Sequence, residues 1–460
     1  MATSQETAPP GTRISGPPWS PTAAFALLGT VQVTLIFTLA ALAVPLPRIG
    51  REFGLGRGDL ILLSAAYGLT FAGLLLLGGR IADRYGGRRA FAVGLLLFGA
   101  ASAAAPLAPS YAALLGARFA QGVGAALVAP GAMAVLRTVF PSPAAYGKAM
   151  ATWGGLSVLG ATAGNLLSGV ISALWSWRLA FAVPLAVAAL ALALAPRLLP
   201  PTAPGAGREL DLRGAVLVTG GITAASYGLV ATDAYAWSSA RVLVPLGVGV
   251  ALVAAFLRVE RRVADPLLPP RFAREPRRAL GLAATGLTAA GTAGVFVLFS
   301  LYLQDERGWS TLQTSAAFVP FAVALLGSGR AAGPLIGRYG APTVTGVGLA
   351  VGAAGLALLA AFGFSSHLPF PYAYGLLPGL VLLAAGGALS FAGSAVLATS
   401  DVAPSDAGLA GGVLNTAMEL GATVLFAALI ALGDDAASLT AAAALFAALA
   451  ATALRFRTRR

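Results

Sequence analysis

The sequence predicts an all-α membrane protein of about fourteen crossings, an expectation that three observations carry. Charged residues make up only 10% of the 460 positions and hydrophobic residues 58%, with a mean hydropathy of +0.83. A soluble domain carries about 25% charged residues to coat its surface, so this chain cannot face water over most of its area. The apolar residues fall into runs of bilayer-crossing length, and the arginines collect in the short loops between them.

Taken in order, the runs place crossings at 23–46, 58–79, 90–108, 111–136, 150–172, 178–198, 213–232 and 241–258. They continue at 279–303, 312–331, 342–363, 373–399, 407–432 and 437–454. Continuous helix is the open-ended structure that satisfies its own backbone in lipid. Segment 1–21, rich in Pro, Gly, Ser and Thr, lacks the basic-then-apolar start of a signal peptide and is expected to be a disordered cytoplasmic tail. Residues 22–200 are expected to form one six-helix bundle and 279–455 a second. Between them, 201–278 forms a linker with two inserted helices and a basic cytoplasmic loop, and 456–460 is a basic cytoplasmic tail.

Orientation follows from the basic residues. With the N-terminus in the cytoplasm, the inner loops hold Arg80, Arg84, Arg88 and Arg89, then the run from Arg258 to Arg278, then Arg330 and Arg338, and the carboxyl tail. The outer loops hold far fewer, Arg48, Arg51, Arg57, Arg178, Arg241 and Arg307. That asymmetry obeys the positive-inside rule and puts both termini in the cytoplasm.

The net charge of +13 therefore sets topology and does not build a nucleic-acid groove. Absent cysteines exclude disulfides and thiolate metal sites, and one histidine, His367, excludes a multi-histidine centre. No cofactor or metal is expected, and no cluster of His, Asp or Cys suits a membrane-embedded enzyme. Heavy use of Arg, Ala and Gly beside a single Lys points to a GC-rich bacterial genome and the bacterial plasma membrane.

The chain also repeats itself. Gly79-Arg-Ile-Ala-Asp83-Arg84-Tyr85-Gly86 after the second crossing is answered by Gly333-Pro-Leu-Ile-Gly337-Arg338-Tyr339-Gly340 after the tenth. Ser64-Ala-Ala-Tyr67 is likewise answered by Ser315-Ala-Ala-Phe318. The copies share one orientation and stand eight crossings apart, so two helices, the seventh and eighth, separate two parallel halves, one of the known transporter plans.

The stretch Gly79-Arg-Ile-Ala-Asp83-Arg84-Tyr85-Gly86-Gly87-Arg88-Arg89 resembles the cytoplasmic loop signature of the major facilitator superfamily, with Gly87 where that signature usually has Arg. Glycines permit the tight reversal, and Asp83 can face the positive end of a neighbouring helix. Pro47-Arg48-Ile49, Arg118-Phe-Ala-Gln121-Gly122, Trp177-Arg178, Glu260 to Leu268, Leu301 to Gln304 and Gly408 to Thr416 are similar to the 14-helix drug:proton antiporter branch. The resemblance covers nearly the whole chain. It implies the major facilitator fold and a gating role for Gly79, Asp83, Arg84, Gly86, Arg88 and Arg89.

Two positions depart from that branch: Thr38 replaces its helix 1 Asp, and Gly164-Asn165 replaces its helix 5 Gly-Pro. Gly160, Gly164 and Ser168 still form a small-residue stripe suited to close helix packing. An ionised side chain at the centre of a membrane helix costs roughly 2.5–3.5 kcal/mol and so points to function. Arg118 is one such group, either a cargo or proton contact or a cation satisfied by carbonyls, Gln32 and Thr34. Glu419 is the other, about eleven residues or ~16 Å into its helix, with Asn415 one turn before it. Glu419 is expected to carry the coupling proton that the missing helix 1 acid does not, or else to bridge helices while protonated.

Gln32, Thr34, Thr38, Arg118, Gln121, Asn165, Asn415 and Glu419 thus form the candidate pathway for substrate and protons. Asp401 and Asp406 either cap helix 13 or pair with Arg84, Arg88 or Arg89 as an inner gate. The expected function is export of small amphipathic compounds by a monomer, with proton antiport as the drive, as in multidrug and antibiotic efflux. Proton-coupled uptake by symport and a non-transporting sensor are the alternatives.

Overall fold

The computed structural model describes residues 20–42, 45–202, 211–233, 235–263, 266, 268, 272, 274–309, 311–364, 371–400, 402–403, 406–425, 429 and 435–456. Helix dominates throughout, and there is no strand among the described residues. Many helix starts are written locally. The Ser20, Ser110 and Ser142 side chains accept the N–H three residues on, opening α1 (Pro21–Ala40), α5 (Tyr111–Val139) and α6 (Pro143–Leu174). Asp211 does the same for α8 (Leu212–Val230), and Glu275 caps α10 (Pro276–Leu301). Such caps satisfy amide groups that a helix start otherwise leaves unpaired.

The remaining long helices are α3 (Arg57–Tyr85), α4 (Gly87–Ala104), α7 (Ala182–Leu198), α9 (Ala240–Glu260), α12 (Val319–Tyr339), α13 (Ala341–Leu358), α15 (Leu377–Thr399), α16 (Ala407–Leu420) and α17 (Asp435–Arg455). Short helices are α2 (Leu46–Phe53), α11 (Thr311–Ala317) and α14 (Tyr372–Gly375). Among the described residues, eleven helical segments are long and apolar enough to cross a bilayer. Helices α6, α8 and α16 occupy three further segments expected from the sequence.

Several boundaries differ from expectation. The first helix stops at Ala40 instead of running to 46, and a separate helix begins at Leu46, where Pro45 and Pro47 disfavour continuing a helix from upstream. Helix α6 starts at Pro143, a full turn and more before 150, because Ser142 and Pro143 supply a start signal inside the supposed loop. The crossing expected at 312–331 is broken at Phe318 ahead of Pro320 and runs on to Tyr339. Three helices pass into π-helical ends, at Tyr302–Glu306, Leu359–Phe364 and Gly421–Leu425. The expected tail 1–21 ends in helix, since Pro21 is already the first residue of α1.

Packing repeats within the chain. Helices α4 and α5 meet through Gly94 and Gly124, where a Cβ on either would lie 2.7–2.8 Å from the other's carbonyl oxygen. Their counterparts α13 and α15 meet through Gly348 and Gly386 at 2.5–2.7 Å in the same sense. Without side chains in the way, backbones approach closely, which substitutes for the absent hydrophobic drive in lipid. Helix α1 lies on α6, where a Cβ at Gly160 or Gly164 would meet the Val33 or Phe37 carbonyl oxygen at 2.5 or 2.6 Å, and Ser168 is fully buried. Helix α8 is tied to α3 by the Thr219 hydroxyl donating to Gly73 O (2.9 Å) and that of Thr223 to Leu69 O (3.3 Å). Helix α9 packs on α8 and leaves most of its surface outward.

Candidate functional site

Two seams join the earlier helices to the later ones. In the first, α3 meets α16. A Cβ on Gly79 would lie 2.5 Å from the Gly408 carbonyl oxygen, and one on Gly408 would lie 2.4 Å from that of Gly79. One turn further along, Asp83 reaches across and accepts the backbone N–H groups of Gly408 (2.5 Å) and Leu409 (2.7 Å). These are amides of the first turn of α16, whose own N-cap residue, Asp406, makes no side-chain cap bond. A carboxylate there meets both unpaired donors and the positive end of the helix dipole. Asp406 instead forms an ion pair with Arg80 at 3.6 Å, and Arg80 also donates to the Pro266 carbonyl in the loop after α9.

The rest of the motif shapes the turn. Gly86 joins α3 to α4 with φ +91°, a conformation that favours glycine, and its missing Cβ leaves room for Thr202 O at 2.6 Å. Arg88 donates its backbone N–H to the Thr202 hydroxyl (3.0 Å) and its guanidinium to Leu199 O (3.1 Å). Arg84 lies 5.6 Å from the Tyr85 ring, and Arg89 is exposed. The ion pair that the structure gives Asp406 therefore goes to Arg80, a residue outside the trio expected from the sequence. Asp401 lies outside the described residues.

The second seam repeats the first with a difference. On α12, a Cβ at Gly333 would meet the Ala144 carbonyl oxygen of α6 at 2.7 Å. Gly340 turns α12 into α13 with φ +82°, the counterpart of Gly86. Gly337 stands where the first copy has Asp83, so no carboxylate crosses this seam from that position, and α6 caps itself through Ser142.

Deeper in α5, Arg118 and Gln121 are both fully buried. The Arg118 guanidinium donates to the Thr38 carbonyl and to Gln121 Oε1, each at 3.1 Å, and stands 5.1 Å from the centre of the Tyr67 ring. Gln121 in turn donates to Ser102 Oγ (2.9 Å), which donates to Phe98 O (2.7 Å). Tyr67 donates its hydroxyl to Leu35 O (3.0 Å) and stacks on Phe71. Two further Arg118 nitrogens, Nε and Nη2, are buried without a hydrogen-bond partner in the protein. A buried cation with unspent donors is costly alone, and an incoming acceptor relieves that cost.

The expected partners Gln32 and Thr34 do not hold Arg118. Gln32 donates to Ser157 Oγ (3.0 Å), leaving its own Oε1 buried and unpartnered. The Thr34 and Thr38 hydroxyls donate to the Thr30 and Thr34 carbonyls of their own helix, each at 2.8 Å. Asn415 is buried and bonds Gly411 O (2.9 Å) one turn back. Glu419, partly exposed, lies within electrostatic range of the Tyr67 hydroxyl, whereas Arg118 stands by the Tyr67 ring. The Asn165 side chain lies outside the described residues.

At the opposite end of the helices from the Gly86 turn, Glu52 of α2 pairs with Arg178 at 2.7 Å and accepts the Trp177 indole N–H at 2.8 Å. The indole bond outweighs burial and, with the Arg178 guanidinium, holds the Glu52 carboxyl below its ordinary 4.5. Sequence reasoning named Arg80, Tyr67 and Arg178 without these partners and missed Glu52 and Ser102. A charge inside an apolar run signals itself, whereas its partner depends on which distant helix comes alongside.

Residues 26–426 match the Major Facilitator Superfamily. The chain is 37% identical to the puromycin resistance protein of Streptomyces alboniger over 85% of its own length and 77% of that protein's. It is 36% identical to the cephamycin export protein of Amycolatopsis lactamdurans, over 89% and 84% of the two chains. A human organic anion transporter has the same fold, with a TM-score of 0.67 at 19% identity, covering 94% of this chain and 98% of that one. A proton:xylose symporter matches at 0.64 and 13%, with 95% coverage of each. Apolar helices of crossing length, two glycine seams and a family match over most of the sequence agree, and the chain belongs to the major facilitator superfamily as a multi-pass transporter of the plasma membrane.

Proposed function

We propose that this transporter exports small amphipathic organic compounds, antibiotics among them, in exchange for protons. The two halves, 22–200 and 279–455, rock about a central site in alternating access. About fourteen crossings, with α8 and α9 as the inserted pair, leave both termini in the cytoplasm. Relatives whose names state resistance to puromycin or export of cephamycin support the direction and class of cargo. The observation that supports the coupling is Tyr67, with the Arg118 guanidinium 5.1 Å from its ring and Glu419 within electrostatic range of its hydroxyl. Glu419 takes and releases the proton, and Tyr67 lets the change of charge be felt at Arg118.

The test is efflux of a dye and drug panel from proteoliposomes under an imposed pH gradient. Wild type exports in proportion to the gradient, Glu419→Gln loses that dependence, and Arg118→Ala loses transport. Gradient-driven export that survives Glu419→Gln removes the coupling assignment. Export that ignores the gradient in wild type removes antiport itself.

A further inference from the structure

A cavity of about 400 Å³ lies between the two halves where α5 ends and α16 begins. It falls within the size range of small-molecule sites. From the first half come Met133, Arg137 and Tyr146, and from the second Thr399, Val402 and Ala410. Its shape therefore depends on the halves being together.

Its polar groups are unequal. The Thr138 hydroxyl already donates to Ala134 O (3.1 Å) and that of Thr399 to Ala395 O (2.7 Å), and the Tyr146 hydroxyl lies beside Thr399. Arg137 is different. Its guanidinium stands 4.9 Å from the centre of the Tyr146 ring, held by cation–π attraction, and its Nη1 is buried with no hydrogen-bond partner in the protein. No carboxylate is among the described lining residues, and Asp406, the nearby acid at the head of α16, pairs with Arg80. The remaining described lining residues are apolar.

A cation with an unspent donor, set among aliphatic and aromatic walls, is complementary to a molecule with one carboxylate and an apolar body. The planar guanidinium fork matches a carboxylate in charge and geometry. We propose that this chamber binds amphipathic organic carboxylates at the inner mouth of the transporter, with Arg137 as the selecting residue. The proposal rests on the export reading for its place in transport, and it adds a cargo class at a location separate from Arg118 and Glu419.

The test uses 7-methoxycoumarin-3-carboxylate and its methyl ester, which share the apolar body and differ in charge. Purified full-length protein binds the acid about tenfold or more tightly than the ester, the scale of a hydrogen bond to a charged group. Arg137→Gln brings the two affinities to within about twofold by weakening the acid alone, and Arg137→Lys keeps part of the preference. The wild-type comparison needs no variant to fold. Equal binding of acid and ester by wild type overturns the proposal, as does equal weakening of both by Arg137→Gln. In proteoliposomes the two readings separate. Preferential binding without export of either compound removes the export reading and supports the chamber. Export with an acid-to-ester ratio untouched by Arg137→Gln removes the chamber and leaves the export reading standing.

Discussion

Gly79 and Gly408 press backbone against backbone, each filling the space in which the other's Cβ would stand. That contact closes the α3–α16 seam, and no side chain can be added to it without moving a helix. A Gly408→Ala methyl would lie 2.4 Å from the Gly79 carbonyl oxygen and 2.7 Å from Asp83 Oδ1, and the carbonyl, being backbone, yields only if a helix shifts.

Gly408→Ala is therefore expected to part α3 from α16 and favour the inward-open form. The chain has no cysteine, so a single Ala82→Cys, at a position 2% exposed, reports the opening by its labelling rate. Labelling rises in Gly408→Ala and stays at the reference rate in Gly116→Ala, where a Cβ meets nothing within 4 Å.

Asp83→Asn keeps one acceptor at the head of α16 and loses the charge and the second acceptor. A carboxylate at a helix N-terminus is worth about 0.3–1 kcal/mol when exposed and up to ~2 when partly buried. The same Ala82→Cys reporter should label several-fold faster in Asp83→Asn, with export reduced and the melting temperature lowered only slightly.

Arg118→Gln removes the donor to the Thr38 carbonyl and to Gln121 Oε1, both in buried surroundings. Each orphaned acceptor costs about 1–3 kcal/mol unless it finds another partner. Export should fall at least about tenfold, with a lower melting temperature in detergent. Unchanged export would show that Arg118 is structural only.

The Glu52–Arg178 pair gives a pH prediction. Glu52 titrates below 4.5 in the folded protein and nearer its ordinary value when unfolded, so its contribution to stability is present above that range and fades as pH falls through the lowered value. Its exposure keeps the effect small. Glu52→Gln should melt slightly below wild type at pH 7, and the difference should narrow below pH 4.

Features that depend on near neighbours in the chain were legible in the sequence. The Gly79–Gly86 turn and its copy at Gly333–Gly340 were visible because a positive φ between two helices demands glycine at a fixed place. Arg118 stood out as a charge in an apolar run. The partners were not visible. Asp406 meets Arg80 and Tyr67 lies under Arg118 because helices far apart in sequence come side by side. The π-helical ends at Tyr302, Leu359 and Gly421 were also hidden, since π geometry is local strain tolerated by surrounding packing and has no residue code. Helix 1 was read too long because Ala41 and Leu42 are as apolar as the helix before them.

The duplicated motif has aged unevenly, with Asp83 in one copy and Gly337 in the other. In the alternating access proposed above, parting α3 from α16 would break the two charged hydrogen bonds of Asp83, whereas parting α12 from α6 would leave α6 with its own Ser142 cap. One jamb of the door holds a latch that the other lacks. On the proposed mechanism, a duplicated fold with near-symmetric architecture would thereby acquire a preferred edge from which to open.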